Sequence, residues 1–444
     1  MRIALIARVI SGGRNGFAHI ASALEASGHL NDTVRLIIHE GDPLPVAARY
    51  AGVGFKPVVL YGLSTPLFLD YMVELRRVAS RYPVVVGGPH AAGAYWHVLW
   101  LGAVAAVIGD GEPAIVGLIE YFSGLRDIRD VPNIAYREGD RYRTTRIELV
   151  DLDDYKPYSR LYSLYPPIEI MRGCQYRCTF CQVPWMFKSR VRFRSVESVG
   201  DSVKDYVRVG KRDIRFIAPI GFAYMSKDLK TPNLEALEGL LRSVVESGGR
   251  PYLGTFPSET RPELVTVDVL DLLKRYAANR RIALGLQSGS DELLDRVRRD
   301  HYVDDVFNAV EIINSKGFQA VVDFIMGLPG ETDGDVEASV NAMLRLVRMG
   351  ARLRLHTFLP LPGTPLARAK PRPIHPLYSK TILKLLGKGV LEGYWREQET
   401  LAKRIYCLMT YYPTPTPNPN PLPSASELCR DEWIKLENLM PREN

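Results

Sequence analysis

The stretch MRGCQYRCTFCQVPW, residues 171–185, decides how the rest of the chain is interpreted. It places Cys174, Cys178 and Cys181 close together in a chain of 444 residues that has only five cysteines. Two prolines and the short apolar run IEIM (168–171) precede it, so the cysteines follow a predicted strand. Clustered thiols in a cysteine-poor chain indicate a metal site rather than a disulfide framework.

The C-x3-C-x2-C spacing is compatible with two kinds of metal site. Structural zinc sites usually combine two close cysteine pairs or a Cys/His quartet, and no fourth ligand stands near these three. A zinc site would have to recruit Cys407, Cys429 or a distant histidine. Three thiolates can instead hold three irons of a [4Fe–4S] cluster and leave the fourth iron open to a substrate or cofactor.

Composition and charge indicate the class of protein. Hydrophobic residues make up 46% of the chain and charged residues 24%, which is typical of a globular protein. A net charge of +7 over this length suits a basic soluble surface, an anionic substrate or a nucleic acid alike. No apolar run reaches the roughly 20 residues that a transmembrane helix needs, and the N-terminal run breaks too early for a signal peptide. We therefore expect a cytoplasmic protein with reduced thiols.

Residues 1–130 alternate β-branched runs with helix-length segments, which predicts a Rossmann-like (flavodoxin-like) open parallel sheet in an α/β fold. The strands are expected at residues 3–7, 34–39, 58–64, 84–88 and 103–109. The turns after them are at residues 11–16, 64–66, 87–93 and 109–113. Ligands of such sheets bind at the carboxyl ends of the strands, so these turns are the expected binding edge. The first turn lacks G-x-G-x-x-G, which disfavours a dinucleotide.

The remaining chain is expected to contain a linker, a barrel and an extension. Residues 131–167 are the linker, with a polar hairpin in REGDRYRTTR (137–146). Residues 168–370 contain a second alternating series that favours a partial (β/α)6 TIM-type barrel. Its strands are expected at residues 168–171, 213–219, 251–257, 281–287, 320–327 and 352–360. Residues 371–444 form a helical extension, in which 411–424 is too rich in proline for a helix or a central strand.

The cysteine stretch resembles the signature of the radical S-adenosylmethionine (SAM) superfamily, C-x3-C-x-aromatic-C, with Phe180 in the aromatic place. The resemblance implies that Cys174, Cys178 and Cys181 bind a [4Fe–4S] cluster. It also implies that the methionine part of SAM chelates the open iron, and that one electron then cleaves the sulfonium C–S bond. A reductant such as ferredoxin or flavodoxin would supply that electron.

Later strand ends extend this resemblance to the branch with oxygen-independent coproporphyrinogen oxidase, the methylthiotransferases and the elongator-type enzymes. It rests on FPSETRP (256–262), GLQSGS (285–290), RVRRDH (296–301) and VDFIMGLPGET (322–332). By this resemblance the contacts to SAM come from Phe180, Glu259, Gln287, Ser288, Arg299 and Asp323. An acid suits the amine, an arginine suits the carboxylate, and an amide or acid suits the ribose hydroxyls. The sequence departs from the branch at APIGFAY (218–224), where a GGE-like element is expected.

Two turns of the N-terminal region, VVVGGPHAAG (84–93) and VIGDGEP (107–113), resemble the cobalamin-binding domain of one radical SAM subgroup. The implied cobalamin contacts are Gly62, Ser64, Gly87, Gly88, Gly109 and Glu112. Glycine would let the backbone approach the corrin. The D-x-H-x-x-G segment that supplies a histidine to cobalt is missing, and His19 is interpreted as a helix-surface or core residue. His90 is either a pocket residue or a cap of the following helix.

These resemblances imply a radical SAM enzyme, and in particular a cobalamin-dependent methyltransferase acting on a small molecule, lipid, peptide or RNA. The alternative enzyme is a cobalamin-independent cyclase or methylthiotransferase. Methylthiotransferases carry three further cysteines before the radical domain, whereas no cysteine precedes Cys174 here. A non-enzymatic structural metal protein is the remaining alternative, and it leaves the strand-end polar residues unexplained.

Overall fold

The structure, a computed structural model, describes residues 1–10, 13–416 and 419–439. The chain divides into two compact units. One, called the sheet unit, contains Met1–Pro166, Leu361–Arg368 and Arg404–Asn444. The other, called the barrel unit, contains Pro167–Pro360 and Ala369–Lys403. The sheet unit thus includes most of the expected linker and the end of the expected extension.

The sheet unit is built on one seven-stranded sheet. Its strands are β1 (Ile3–Arg8), β2 (Val34–His39), β3 (Lys56–Gly62), β4 (Val84–Gly87), β5 (Ala105–Val107), β6 (Ile134–Glu138) and β7 (Arg141–Thr144). Its helices before the barrel are α1 (Arg14–Ala26), α2 (Pro43–Gly52), α3 (Thr65–Ala79), α4 (Pro89–Gly93), α5 (Tyr95–Trp100) and α6 (Gly111–Phe122). Residues 11 and 12 of the first expected turn lie outside the described residues.

The strand order is β2-β1-β3-β4-β5-β6-β7, with the first five strands parallel. The central strands are almost continuously buried, as expected for parallel strands that are covered on both faces. The predicted Rossmann-like sheet is therefore confirmed. The expected polar hairpin is also present, and as β6 and β7 it adds two antiparallel strands to the same sheet.

The barrel unit contains the second alternating series. Its strands are β8 (Ile168–Glu169), β9 (Met171–Arg172), β10 (Arg192–Phe193), β11 (Asp213–Ile217), β12 (Arg250–Tyr252), β13 (Arg281–Gln287), β14 (Gln319–Met326), β15 (Arg352–Thr357) and β16 (Leu391–Glu392). Its helices are α7 (Val183–Met186), α8 (Val196–Arg208), α9 (Leu234–Glu246), α10 (Val267–Tyr276), α11 (Asp291–Arg296), α12 (Val303–Ser315), α13 (Asp333–Arg348) and α14 (Pro376–Leu386).

Parallel pairing joins β12-β11-β8 in one group and β13-β14-β15-β16 in another. A parallel bridge between Thr260 and Leu284 links the segment after β12 to β13. This order of parallel strands confirms the predicted partial TIM-type barrel. The first expected strand is split, because β8 joins the barrel while β9 pairs antiparallel with β10. The short strand β16 was not expected.

The tail corrects one expectation about the cysteines. It contributes α15 (Trp395–Tyr411) and α16 (Ser426–Glu437), and a disulfide between Cys407 and Cys429 joins these helices. Both cysteines are fully buried beside Tyr406 and Trp433. The expectation of reduced thiols is therefore wrong for this pair, and neither sulfur is a free thiol that could complete a zinc site. Little in the sequence indicated the bridge, because its partners are 22 residues apart and the total cysteine count is odd.

The proline-rich stretch forms no helix or strand in residues 412–416 and 419–422, and residues 417 and 418 lie outside the described part of the chain. Tyr412 at its start is buried. No helix within the described residues has the length and apolar character that crossing a bilayer requires.

Candidate active site

The three clustered cysteines lie in the loop between β9 and α7 and are free thiols. Cys174 and Cys178 are buried, and Cys181 is partly exposed. Desolvation raises the pKa of Cys174 and raises that of Cys181 to about 12, so metal binding there displaces protons. Within the described residues, no three Cys, His, Asp or Glu side chains are grouped to hold a single metal ion. A cluster does not need such a group, because each thiolate binds a different iron.

Tyr176 anchors the cysteine loop between its first two thiols. Its single hydroxyl proton is shared between the Leu229 carbonyl, 3.1 Å away, and Glu263 Oε1, 3.3 Å away. The guanidinium of Arg261 lies 3.7 Å from the centroid of its ring, which is a close cation–π contact. Arg261 also donates to the Arg299 carbonyl at 2.9 Å. Arg261 therefore joins the cysteine loop to the segment that carries Arg299.

Sequence reasoning missed Tyr176, Arg261 and Glu263, although TRPE (260–263) lies within and beside a stretch already singled out. Burial opposes the ionisation of Glu263, but His301 and Arg261 outweigh it and lower the pKa of this carboxyl to about 2. Burial also lowers the pKa of His301 to about 4. A neutral histidine beside a carboxylate and an arginine fits a supporting role behind the loop.

Arg299 is the residue that reaches the thiols. It is buried, its Nη1 donates to Cys178 Sγ at 3.7 Å, and its Nη2 donates to the Gly285 carbonyl at 2.8 Å. Its Nε is buried and has no hydrogen-bond partner in the described structure. The guanidinium therefore lies between the cysteine loop and the carboxyl end of β13 and keeps one donor unused.

Gln287 ends β13 at a bulge, where the register with β14 shifts between Gly285 and Gln287. Its φ of +80° is unusual for a residue with a side chain and marks local strain. A Cβ added to Gly285 would lie 2.2 Å from Gln287 Nε2 and 3.0 Å from Arg299 Nη2, so only glycine admits both side chains. The Oε1 atom of Gln287 is buried and accepts no hydrogen bond from any described residue.

Four charged residues meet on the strands next to Gly285. The register places Gly285 beside Asp323, Asp323 beside Arg354, and Arg354 beside Glu392. Arg354 pairs with Glu259, and its Nη1 and Nε lie 3.4 Å from Asp323 Oδ1 and 3.7 Å from Glu392 Oε1. Burial and the nearby Glu259 raise the pKa of Asp323 well above its usual value, although Arg354 and Arg299 oppose this.

Arg354 and Glu392 were not among the candidate residues. The alternation RLRLHT in β15 places Arg352, Arg354 and His356 on one face, and this was the available signal. Glu392 had no comparable signal, because β16 was not expected.

The segment APIGFAY packs directly on the loop that carries Glu259. The Gly221 amide donates to the Glu259 carbonyl at 2.7 Å, and the Ala218 amide donates to the Pro257 carbonyl at 3.1 Å. A Cβ on Gly221 would lie 2.4 Å from the Ser258 carbonyl oxygen. Close backbone contact between two strand-end loops is therefore the reason for this glycine.

The structure thus brings Glu259, Gln287, Arg299 and Asp323 to neighbouring strand ends, and of these Arg299 contacts Cys178. Ser288 differs, because its hydroxyl lies 3.2 Å from Ser339 Oγ on α13 and accepts from the Ser290 amide at 3.1 Å. Phe180 is partly exposed next to Cys181.

In the sheet unit, four of the glycines expected at cobalamin pack against the protein itself. A Cβ on Gly88, whose φ is +95°, would lie 2.8 Å from the Leu63 backbone, and one on Gly109 would lie 2.9 Å from the Asn133 side chain. Gly62 faces Phe17, and Gly87 faces Val107, at ordinary contact distances. The close approach at Gly88 and Gly109 is therefore between parts of the domain.

The polar residues of this edge have protein partners as well. Glu112 is buried, with its Oε1 3.4 Å from His19 Nδ1 on α1, which agrees with a core position for His19. Ser64 precedes α3 and is partly exposed, and its side chain makes no capping hydrogen bond.

His90 is fully buried in a chain of polar contacts. Its Nδ1 lies 3.2 Å from Thr65 Oγ1, its Nε2 lies 3.3 Å from His97 Nδ1, and His97 Nε2 donates to the Tyr412 carbonyl at 2.9 Å. Burial lowers the pKa of His97 to about 4 and holds that of His90 well below its usual value. Neutral rings satisfy every contact, so His90 belongs to the interior of the sheet unit.

Comparison with known proteins agrees with the division of the chain into a sheet unit and a barrel unit. Residues 168–343 match the family model of the Radical SAM superfamily. The threonylcarbamoyladenosine tRNA methylthiotransferase of Thermotoga maritima is 26% identical over 211 residues, 45% of this chain and 45% of that protein. The tRNA-2-methylthio-N(6)-dimethylallyladenosine synthase of Fusobacterium nucleatum is 31% identical over 182 residues, 40% of each protein. The chain spans about half the length of the curated relatives it matches.

Two solved structures share the fold over most of the chain. The radical SAM methyltransferase TsrM of Kitasatospora setae, with cobalamin and a [4Fe–4S] cluster bound, has a TM-score of 0.65 at 17% identity and covers 84% of this chain and 76% of its own. The cobalamin-dependent radical enzyme OxsB, with aqua-cobalamin and SAM bound, has a TM-score of 0.62 at 16% identity, covering 77% of this chain and 51% of its own.

The cysteine loop, the barrel strands and the family match define a radical SAM domain in residues 168–343. Residues 168–343 are thus similar to the Radical SAM superfamily, and the chain shares the fold of the cobalamin-bound radical SAM proteins TsrM and OxsB.

Proposed function

We propose that this radical SAM enzyme is a cobalamin-dependent methyltransferase that holds its [4Fe–4S] cluster through Cys174, Cys178 and Cys181. The observation that carries the proposal is the contact between Arg299 and Cys178, because it joins one of the proposed SAM-binding side chains to one of the proposed cluster ligands. Three thiolates without a fourth protein ligand suit a cluster whose remaining iron binds SAM.

The polar atoms at the strand ends support SAM binding at this place. Gln287 Oε1, Arg299 Nε and Asp323 Oδ1 are buried without hydrogen bonds in the described structure, which is costly unless a ligand supplies the partners. In the proposal Arg299 binds the SAM carboxylate, Glu259 accepts from its amine, and Gln287 and Asp323 accept from the ribose hydroxyls.

The chemistry of bond cleavage comes from the bound cluster, which supplies one electron to the sulfonium of SAM. The protein positions the nucleotide and keeps water away. Burial of Cys174, Cys178 and Arg299 provides the dry surroundings, and the anchoring of Tyr176 by Arg261 holds the loop in place. A rigid, dry site is required because a reactive intermediate in water would be lost to side reactions.

Cobalamin enters the proposal through the shared fold. TsrM and OxsB are cobalamin-bound proteins, and the fold of this chain resembles theirs over 84% and 77% of its length. The glycines do not add support, since their close contacts are with the protein. Ser64, partly exposed at the carboxyl end of β3, and the turn after β5 remain candidates for contact with a bound corrin.

Methylthiolation of tRNA is the second candidate. The names of the relatives from Thermotoga maritima and Fusobacterium nucleatum favour it. The 173 residues before Cys174 contain no cysteine for a second cluster, which favours methyl transfer instead.

We also propose that an acidic one-electron carrier, such as ferredoxin or flavodoxin, delivers the electron at the cysteine loop. Exposed Arg177 immediately precedes Cys178, and exposed Arg298 immediately precedes Arg299. Both line a surface cavity of about 510 Å³ together with Lys230, Asp295 and Asp300, so three cations there outnumber two carboxylates. Cations beside the buried thiols favour the approach of an anionic partner.

Anaerobic purification with added hydroxocobalamin tests the proposed function. The visible spectrum should show corrin bands together with the broad absorption of an iron–sulfur cluster. Retention of iron without corrin would remove methyl transfer and leave the general radical SAM assignment. A matched sample of the Cys178→Ala variant should keep the corrin bands and lose the iron, because the two cofactors are assigned to different units.

A further inference from the structure

Arg354 is the centre of an acidic group inside the barrel unit. Its guanidinium contacts Glu259, Asp323 and Glu392, and its side chain is 19% exposed. Asp323 and Glu392 flank it on the neighbouring strands, and Glu259 reaches it from the loop after β12. One arginine side chain thus contacts three carboxyl groups.

This group is short of positive charge. Even with Asp323 protonated, which its raised pKa favours, the single guanidinium of Arg354 faces the two carboxylates of Glu259 and Glu392, and uncompensated charge away from water is unfavourable. A cationic ligand would correct the balance. SAM carries an ammonium and a sulfonium against a single carboxylate, so its charge is complementary to the group.

The place for such a ligand lies on the side of Asp323 that faces Gly285. There Gln287 Oε1 and Arg299 Nε are buried without hydrogen bonds, and Asp323 Oδ1 has only the 3.4 Å ion-pair contact with Arg354. Arg299 stands at one end of this space and Arg354 at the other. The arrangement fits a SAM molecule whose carboxylate points to Arg299, whose ribose lies beside Asp323 and whose ammonium points to Glu259.

Resting on the proposed function, in which this strand end binds SAM, we propose that Arg354 is a stand-in cation. It holds Glu259 and Asp323 in position in the free protein and competes with the SAM ammonium for the negative charge of Glu259. When the SAM ammonium binds Glu259, the guanidinium of Arg354 can still pair with Glu392. Arg354 is therefore a positioning residue that sets the affinity for SAM and keeps the acids paired until the ligand arrives.

The test is the Arg354→Met variant of the full chain, reconstituted with iron and sulfide under anaerobic conditions at pH 8. Equilibrium dialysis would measure dissociation constants for SAM, S-adenosylhomocysteine and 5′-methylthioadenosine. The first two carry the ammonium, and the third lacks the amino-acid group. We expect about three- to tenfold tighter binding of SAM and S-adenosylhomocysteine, because the competing charge is gone, and no change for 5′-methylthioadenosine.

Three further variants sharpen the test. Arg354→Gln keeps a polar side chain and should tighten SAM binding in the same way, which guards against a folding defect of the methionine variant. Glu392→Gln should weaken SAM binding, because Arg354 then depends more on Glu259 and Asp323. Arg352→Met is the matched control: Arg352 lies two residues earlier on the same strand, donates to the Gly389 carbonyl at 2.7 Å, and should leave all three constants unchanged.

The outcomes separate this proposal from the proposed function. Weaker or unchanged SAM binding in both Arg354 variants overturns the stand-in role while SAM binding by the wild-type protein stands. A parallel change for all three ligands also overturns it, because a merely structural role would not distinguish ligands by their ammonium. Failure of the reconstituted wild-type protein to bind SAM defeats the proposed function itself.

Discussion

Arg299 and Cys178 are in direct contact: the Nη1 of the buried arginine lies 3.7 Å from the Sγ of the cysteine. The two residues are 121 positions apart in the chain. The other terminal nitrogen of the same guanidinium donates to the Gly285 carbonyl, so one side chain spans from the thiols to the end of β13. The Arg299 side chain therefore connects the cysteine loop with the carboxyl end of β13.

The Arg299→Lys variant should lose affinity for SAM. Lysine keeps the charge, but it cannot make the fork-shaped contacts of a guanidinium, so we expect a dissociation constant about 10- to 30-fold higher. Iron content should stay at the wild-type level, since no cysteine is altered. Arg298→Lys is the matched control, because this neighbouring arginine is exposed. Equal effects of the two substitutions in equilibrium dialysis would contradict the assigned role.

The Gly285→Ala variant should also bind SAM poorly. The new methyl group would lie 2.2 Å from Gln287 Nε2 and 3.0 Å from Arg299 Nη2, so both side chains must move. Because the nearest atom, Gln287 Nε2, is at the end of a flexible side chain, we expect the fold to persist and thermal unfolding to remain cooperative. Gly239→Ala on α9 is the control, because its nearest neighbour is an ordinary 3.7 Å away. Unchanged SAM binding in Gly285→Ala would show that these two side chains do not contact the ligand.

Removal of the disulfide should lower stability without affecting the cluster. The bridge closes a loop of 22 residues, so the Cys407→Ala, Cys429→Ala double variant should lose about 3 kcal/mol of unfolding free energy in guanidinium titrations. Iron content and the visible spectrum should match the wild type after reconstitution. Loss of iron in this variant would assign a ligand role to one of the two cysteines.

Stability should fall as the pH drops below about 6.5, in part because of His97. Burial lowers the pKa of this histidine to about 4 in the folded protein, so between about pH 6.5 and 4 the unfolded chain binds the proton and the folded protein does not. Glutamine can make the same two contacts without titrating. The His97→Gln variant should therefore lose about 2 kcal/mol less unfolding free energy than the wild type between pH 7 and pH 5. His29→Gln, outside the network, should lose as much as the wild type, and an identical loss in all three proteins would argue against a neutral buried His97.

Local patterns were sufficient to predict the two-part α/β architecture. Runs of β-branched residues followed by turns gave the parallel strands of the sheet unit, and the same logic gave the barrel strands. The hairpin around Gly139 was also predicted, because polar strand residues flank a turn. These local patterns did not predict that the hairpin joins the main sheet. Its pairing with β5 depends on contacts between residues that are distant in the sequence.

A site residue could be predicted from the sequence where it lies within a recognisable motif. Gln287 and Asp323 stand in recognisable strand ends, and the structure places both beside Arg299. Arg354 and Glu392 could not be found in this way, because their meaning arises only from the register of three neighbouring strands. The cobalamin contacts of the glycines in the sheet unit stay a prediction, because a glycine can indicate a close approach of the backbone without showing whether a ligand or a residue such as Leu63 is the neighbour.

The most direct measurement of the central claim is the visible and electron paramagnetic resonance spectrum of the reconstituted protein before and after the addition of SAM. The account predicts a [4Fe–4S] signal that changes when SAM binds at the open iron, and its loss in the Cys178→Ala variant. A protein that stays colourless and holds a single zinc ion, or a cluster signal that SAM leaves untouched, would contradict it.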